Sequence, residues 1–310
     1  MLCALVGVVS IAAACSSSGP SVNSAPLIGI HKIEHVIIIN QENRSFDNYF
    51  GTYPGADGIP MANGVPTVCS PNETTQTCDK PFHDHNFVNG GGPHGARSFA
   101  ADVNGGKMDG FVGQAIAGSK IKACVTNPQN PACTNSQNPD VMGWHDGREI
   151  PNYWAYAQNF VLQDHMFEPT TGWSLPSHLF SVSGWSAKCR TIDDPMSCKA
   201  AAEPAQTPDF HPFTPAIARG PTPNYAWTDL TYLLHQAKVS WNYFVTPGSQ
   251  PDCAQDEAVD CKQPGQNAGT PGIWNPLPFF TTVHQDNELG NIRPTQDFLD
   301  QAHAGTLPAV

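Results

Sequence analysis

The chain has 310 residues and sets 15 Lys and Arg against 27 Asp and Glu, a formal net charge of −12. That balance argues against binding nucleic acid or an anionic membrane through net charge, because phosphates recruit a surplus of basic side chains. A hydrophobic content of 40% excludes a disordered chain, and no apolar run after residue 14 is long enough to span a bilayer.

Residues 2–14 (LCALVGVVSIAAA) have the length of a secretory h-region, and the Ser/Gly/Pro-rich stretch that follows reads as a tether. Residues 1–30 are therefore expected to be leader and tether, and residues 31–310 part of one catalytic domain. Ala12-Ala13-Ala14-Cys15 resembles a bacterial lipobox, with Cys15 as the lipidated residue and the point of membrane contact; a plainly cleaved signal is the alternative. Either way the protein is expected to be exported, to the cell envelope or beyond it. No Lys or Arg precedes the apolar run, which places the expected true start upstream of Met1.

Residues 33–39 (IEHVIII) form a short β-branched run suited to a strand buried on both faces, followed by a polar turn and a short helix within residues 41–51. Residues 52–107 are rich in Gly, Pro, Asn and His and read as long functional loops. A helix is expected over residues 150–160, where a proline stands near the start and aromatic residues recur at helical spacing, and a short strand over 161–167. Residues 227–237 are expected to form a helix with Trp227, Leu230 and Leu234 on one face, leading into a strand over 239–245. A last helix over residues 295–304 follows Pro294 and stops at Gly305. Residues 307–310 (LPAV) then open a new apolar segment, from which the chain is expected to be truncated. This alternation implies an α/β fold with a mostly parallel sheet covered by helices.

Apart from Cys3 and Cys15, the cysteines fall as close neighbours: Cys69/Cys78, Cys124/Cys133, Cys189/Cys198 and Cys253/Cys261. CxxC spacing is absent, so four local disulfides pinning surface loops are expected rather than a zinc site.

Three features carry chemistry. Glu42 and Asn43 follow the first strand, where ligands gather in open α/β sheets, and pair a carboxylate with an amide oxygen, both hard donors for a divalent cation. Ser174, in PTTGWSLPSHLFSVSG, precedes a proline suited to a first helical turn; it would stand at or near an N-cap, where backbone N–H groups favour an anion. Thr170, Thr171 and Ser177 are alternative hydroxyls nearby. His83, His85 and His94 concentrate in PFHDHNFVNGGGPHG, a loop of a kind that binds metal or donates hydrogen bonds to phosphate.

The segment IEHVIIINQENRSFDNYFGTYPGADG resembles the opening motif of the bacterial phosphoesterase family, which includes phospholipases C and acid phosphatases within the alkaline-phosphatase-like superfamily. GGPHGARSFAADVNGGKMDGFV, MGWHDGREIPNYWAYAQNFVLQDHMFEPTTGWSLPSHLFSVSG and VSWNYF continue the resemblance in order. It implies an alkaline-phosphatase-like fold and metal-dependent hydrolysis of a phosphodiester or monoester, the substrate being a phospholipid or a small phosphoester. By position it implies Ser174 as nucleophile and metal ligand, Glu42 and Asn43 as metal ligands, and His94 beside the phosphate. The metal is left open among Ca, Mg, Mn and Zn. Ser174-Leu175-Pro176-Ser177-His178 stands where phospholipase C relatives read T-x-P-N-R, so His178 replaces a permanent cation. The family's other metal ligands would lie beyond Val310. A catalytically incomplete fragment that only binds phosphorylated ligands is therefore the alternative function. A sulfatase-like hydrolase is a further one, although its S-x-P-S-R signature needs the missing Arg.

Overall fold

The computed structural model describes residues 28–42, 44–87, 91–93, 95–119, 140–191, 193–201, 225–249 and 265–310. Within them the chain is a mixture of short helices and small sheets, compatible with the α/β class. Six two-stranded sheets are formed among the described residues. Two of them are parallel, pairing Tyr243–Val245 with Ile292–Pro294 and Phe82–His83 with Gly143–Trp144. The others are antiparallel hairpins, so a mostly parallel sheet is not what these residues display. No helix among them is long and apolar enough to cross a membrane.

The helix Ser174–Ser183 organises the core. Pro176 fits its first turn, where no backbone N–H is needed, and Gly184 ends it in the left-handed conformation at φ 64°. Its inner face places Leu175 and Leu179 in full burial against Trp173, Trp227, Leu277 and Phe280. Tyr225, Trp227 and Phe280 meet with ring centroids 4.8–5.2 Å apart, the spacing at which edge-to-face aromatic pairs add to area burial. Buried Asp229 knits this core to two more helices. One carboxylate oxygen caps Leu230–Ala237 by accepting from the N–H of Thr231 at 2.7 Å, and the other accepts the Thr282 hydroxyl of Thr281–Gln285.

Several expectations from sequence hold. The helices Pro151–Asn159 and Thr295–Ala304 form where expected, the latter closed by Gly305 at φ 66°. Cys69–Cys78 and Cys189–Cys198 are disulfides, while Cys124, Cys133, Cys253, Cys261 and Cys15 lie outside the described residues.

Others need correction. Trp227 precedes its helix, because the Asp229 cap sets the start at Leu230. Residues 161–167 form no strand: they have no ladder partner and leave Val161 and Phe167 exposed. Residues 33–39 run extended but are exposed rather than buried on both faces, Ile39 by 80%. Among the described residues, their backbone is hydrogen-bonded along one side, where the Val36 N–H donates to Ala309 O at 2.8 Å. Residues 308–310 in turn lie against the approach to Tyr243–Val245, with Val310 N–H to Ser240 O and Asn242 N–H to Val310 O, each 3.0 Å. This lateral order brings the end of the 33–39 run, and hence Glu42, toward the core.

Leu179→Ala removes a fully buried side chain that cannot be replaced by collapse of its helix. It is expected to cost about 2–5 kcal/mol, measured as a lowered denaturant midpoint with the slope unchanged.

Candidate functional site

Glu42 and Ser174, 132 positions apart in sequence, are brought together. The Ser174 hydroxyl lies close enough to the Glu42 carboxylate to help hold it ionised. Ser174 is buried and is the first residue of its helix, so its hydroxyl stands at the positive end of the helix dipole. The neighbouring hydroxyl of Ser177 is otherwise engaged, donating to Glu168 at 3.1 Å. Asn43 and His94 lie outside the described residues.

Two further side chains hold Glu42. The indole N–H of Trp274 donates to Glu42 Oε1, and His178 Nε2 lies 3.4 Å from the same oxygen. Each of these is itself fixed. His178 Nδ1 donates to Ile273 O at 2.5 Å, and the Tyr243 hydroxyl donates to Trp274 O at 2.9 Å. The next residue, Asn275, is fully buried and donates to Ala268 O and Thr270 O at 3.0 and 3.1 Å, locking the turn that presents Trp274. Burial raises the Glu42 pKa, but the His178 contact, then Trp274 and Ser174, outweigh it and hold the carboxyl below its ordinary value. Glu42 is thus an anion at a partly exposed position, with a hydroxyl alongside: two hard oxygen donors of a kind that suits a divalent cation.

A cavity of about 220 Å³ opens beside Glu42, lined by Arg44, Tyr49, Phe87 and His145 among others. His145 is buried, and its Nδ1 donates to Asp84 O at 2.7 Å, which leaves Nε2 as the ring's acceptor. Its wall is braced by Asn48, in the helix Phe46–Phe50, whose side chain donates to Gly143 O at 2.7 Å while its carbonyl accepts from the His145 N–H at 2.8 Å.

Sequence reasoning picked out Glu42 and Ser174 and noted His178 only as a departure from a motif. It missed Trp274 and His145. For Trp274 no spacing signal exists, since its partner is 232 residues away; for His145 the signal was a histidine directly after the short apolar segment of MGWHDG.

The Phosphoesterase family profile matches residues 33–310. Phospholipase C B of Mycobacterium tuberculosis is 25% identical over 250 residues, covering 74% of this chain and 42% of that protein. Hemolytic phospholipase C of Pseudomonas aeruginosa is 28% identical over 158 residues, 51% of this chain and 20% of that protein. Non-hemolytic phospholipase C of the same organism is 25% identical over 254 residues, 77% and 32% respectively. The chain thus spans less than half the length of the relatives it matches.

Because its carboxylate is stabilised as the anion, Glu42 is expected to titrate below the ordinary Glu range. Its interactions contribute stability above that range, and the contribution is lost as pH falls through the depressed value. Carboxyl ¹³C titration of Glu42 checks this, with Trp274→Phe expected to move the midpoint upward.

Proposed function

The chain belongs to the phosphoesterase family, and from that premise we propose that it acts in metal-dependent hydrolysis of phosphoric esters, with Ser174 as nucleophile in an alkaline-phosphatase-like fold. The observation that carries the reading is the Ser174 hydroxyl, set beside an ionised Glu42 at the start of a helix. The first-turn N–H groups of that helix bind phosphate oxygens and set phosphorus within reach of the hydroxyl. Ser174 Oγ attacks phosphorus in line, the bond from phosphorus to the ester oxygen breaks, and the alcohol departs with a proton. Water then cleaves the phosphoseryl intermediate, releasing the phosphate and restoring the hydroxyl.

Glu42 is too weak a base, with its pKa held down, to be chiefly a proton acceptor. Its part is to orient the hydroxyl and anchor positive charge. Glu42, Asn43 and Ser174 would hold the divalent ion, which when bound supplies charge that acidifies the hydroxyl and neutralises the phosphate. His94 donates to an equatorial phosphate oxygen. The substrate is a phospholipid or a small phosphoester, a reading supported by relatives named as phospholipases C. Residues 1–30 serve as export leader and tether for the domain of residues 31–310, with Cys15 as the lipid anchor.

Ser174→Ala should lower kcat by at least ~10³-fold on p-nitrophenyl phosphate and on p-nitrophenyl phosphorylcholine, with an unchanged circular dichroism melt. Retention of wild-type activity on both esters would falsify the assignment.

A further inference from the structure

Away from Glu42 and Ser174, three side chains converge on one point. Glu149 stands just before the helix Pro151–Asn159, and its two carboxylate oxygens each face an imidazole: Oε2 lies 2.8 Å from His83 Nε2, and Oε1 lies 2.8 Å from His85 Nδ1. All three ligand atoms lie within 4.8 Å of one another. We propose that His83, His85 and Glu149 form a binding site for a divalent transition metal of the zinc type.

Donors at the usual ~2.0–2.2 Å from zinc stand about 3 Å from each other, and here each imidazole nitrogen lies 2.8 Å from a carboxylate oxygen with all three donors within 4.8 Å of one another. Two imidazoles and a carboxylate suit zinc and its first-row neighbours rather than calcium or magnesium, which prefer all-oxygen shells. The donors are also held in place. His83 belongs to the pair Phe82–His83 with Gly143–Trp144, and its ring stacks on Trp144 at 4.4 Å and 8°. Glu149 accepts from the Asp146 N–H at 3.2 Å, and its carboxyl is held down to about 2, first by the hydrogen bond from His83, so it is an anion at neutral pH. The His85 side chain is 67% exposed, which gives an ion a path in.

Arg148 is the group that a metal must contend with. Its Nη2 donates to His83 Nδ1 at 2.7 Å, so His83 carries its proton on Nε2 and gives it to Glu149. Coordination through Nε2 moves that proton to Nδ1, and His85 likewise transfers its proton from Nδ1 to the solvent side. Arg148 then turns wholly to Asp146, to which it already donates from Nε at 2.9 Å and from Nη2 at 2.7 Å. Each imidazole gives up the N–H bond at its coordinating nitrogen and forms one at the other, so no proton is lost overall. The bound ion would tie the loop around His83 to the start of the helix Pro151–Asn159. It would also stiffen the segment that carries His145 into the cavity beside Glu42.

The test is titration of the full chain with Zn²⁺ by calorimetry, repeated with Co²⁺ to read the absorption bands of imidazole ligation. Glu42→Gln, which removes a ligand of the other proposed ion site, is expected to keep one equivalent with these bands, as wild type does at this cluster. His85→Ala, at an exposed position, should weaken binding at least tenfold without altering the thermal melt. Arg148→Gln should tighten it several-fold, because it removes the competing donor. Zinc binding undiminished in His85→Ala, or abolished by Glu42→Gln, overturns the proposal. So does an Arg148→Gln protein that loses stability and gains no affinity, which would leave the cluster an ion-pair network only.

Discussion

A carboxylate that stays ionised although part of its surface is withdrawn from water is the constraint around which the site is built. Desolvation opposes the charge of Glu42, and no single neighbour offsets it; the indole of Trp274, the imidazole of His178 and the hydroxyl of Ser174 do so together. These donors come from two remote segments, so the site exists only where the helix Ser174–Ser183 and the turn before Leu277 are already in register. His178 meets both requirements at once, since one ring nitrogen faces Glu42 while the other is bound to the backbone of the Trp274 turn.

The helix itself performs two tasks on opposite sides of its first turn. Leu175 and Leu179 anchor it in the aromatic core, and that burial holds Ser174 at a polar, partly dry helix end. His178, in the same helix, is bound to a carbonyl at 2.5 Å. It therefore braces Glu42 instead of reaching outward to a substrate anion as an arginine fork does.

How much could be read from the sequence follows from how local each determinant is. Thr295–Ala304 was legible because Pro294 and Gly305 punctuate both ends, and the cysteine pairs because each partner stands nine positions away. Glu42 and Ser174 were legible through residue type and motif. Residues 161–167 misled because β-branched and aromatic residues signal a strand only when a neighbour pairs with it, and none does here. Trp227 was placed in a helix by its spacing, yet Asp229 decides the boundary by capping and sets the start at Leu230, three residues later. Trp274 was beyond reach, since its role depends on tertiary closure and leaves no periodic mark.

The sequence distances also set an order of events. The disulfides Cys69–Cys78 and Cys189–Cys198 close small loops, as the first helical turns do, and need only nearby chain. The bond from Trp274 to Glu42 spans 232 positions, and that from His35 to the Pro308 carbonyl spans 273. Contacts of such separation cost the most loop entropy and form last. During synthesis the backbone of the 33–39 run must therefore wait for its partner until residues 308–310 emerge beside Ser240. That order makes Glu42, which follows the run, the last piece of the site to be fixed.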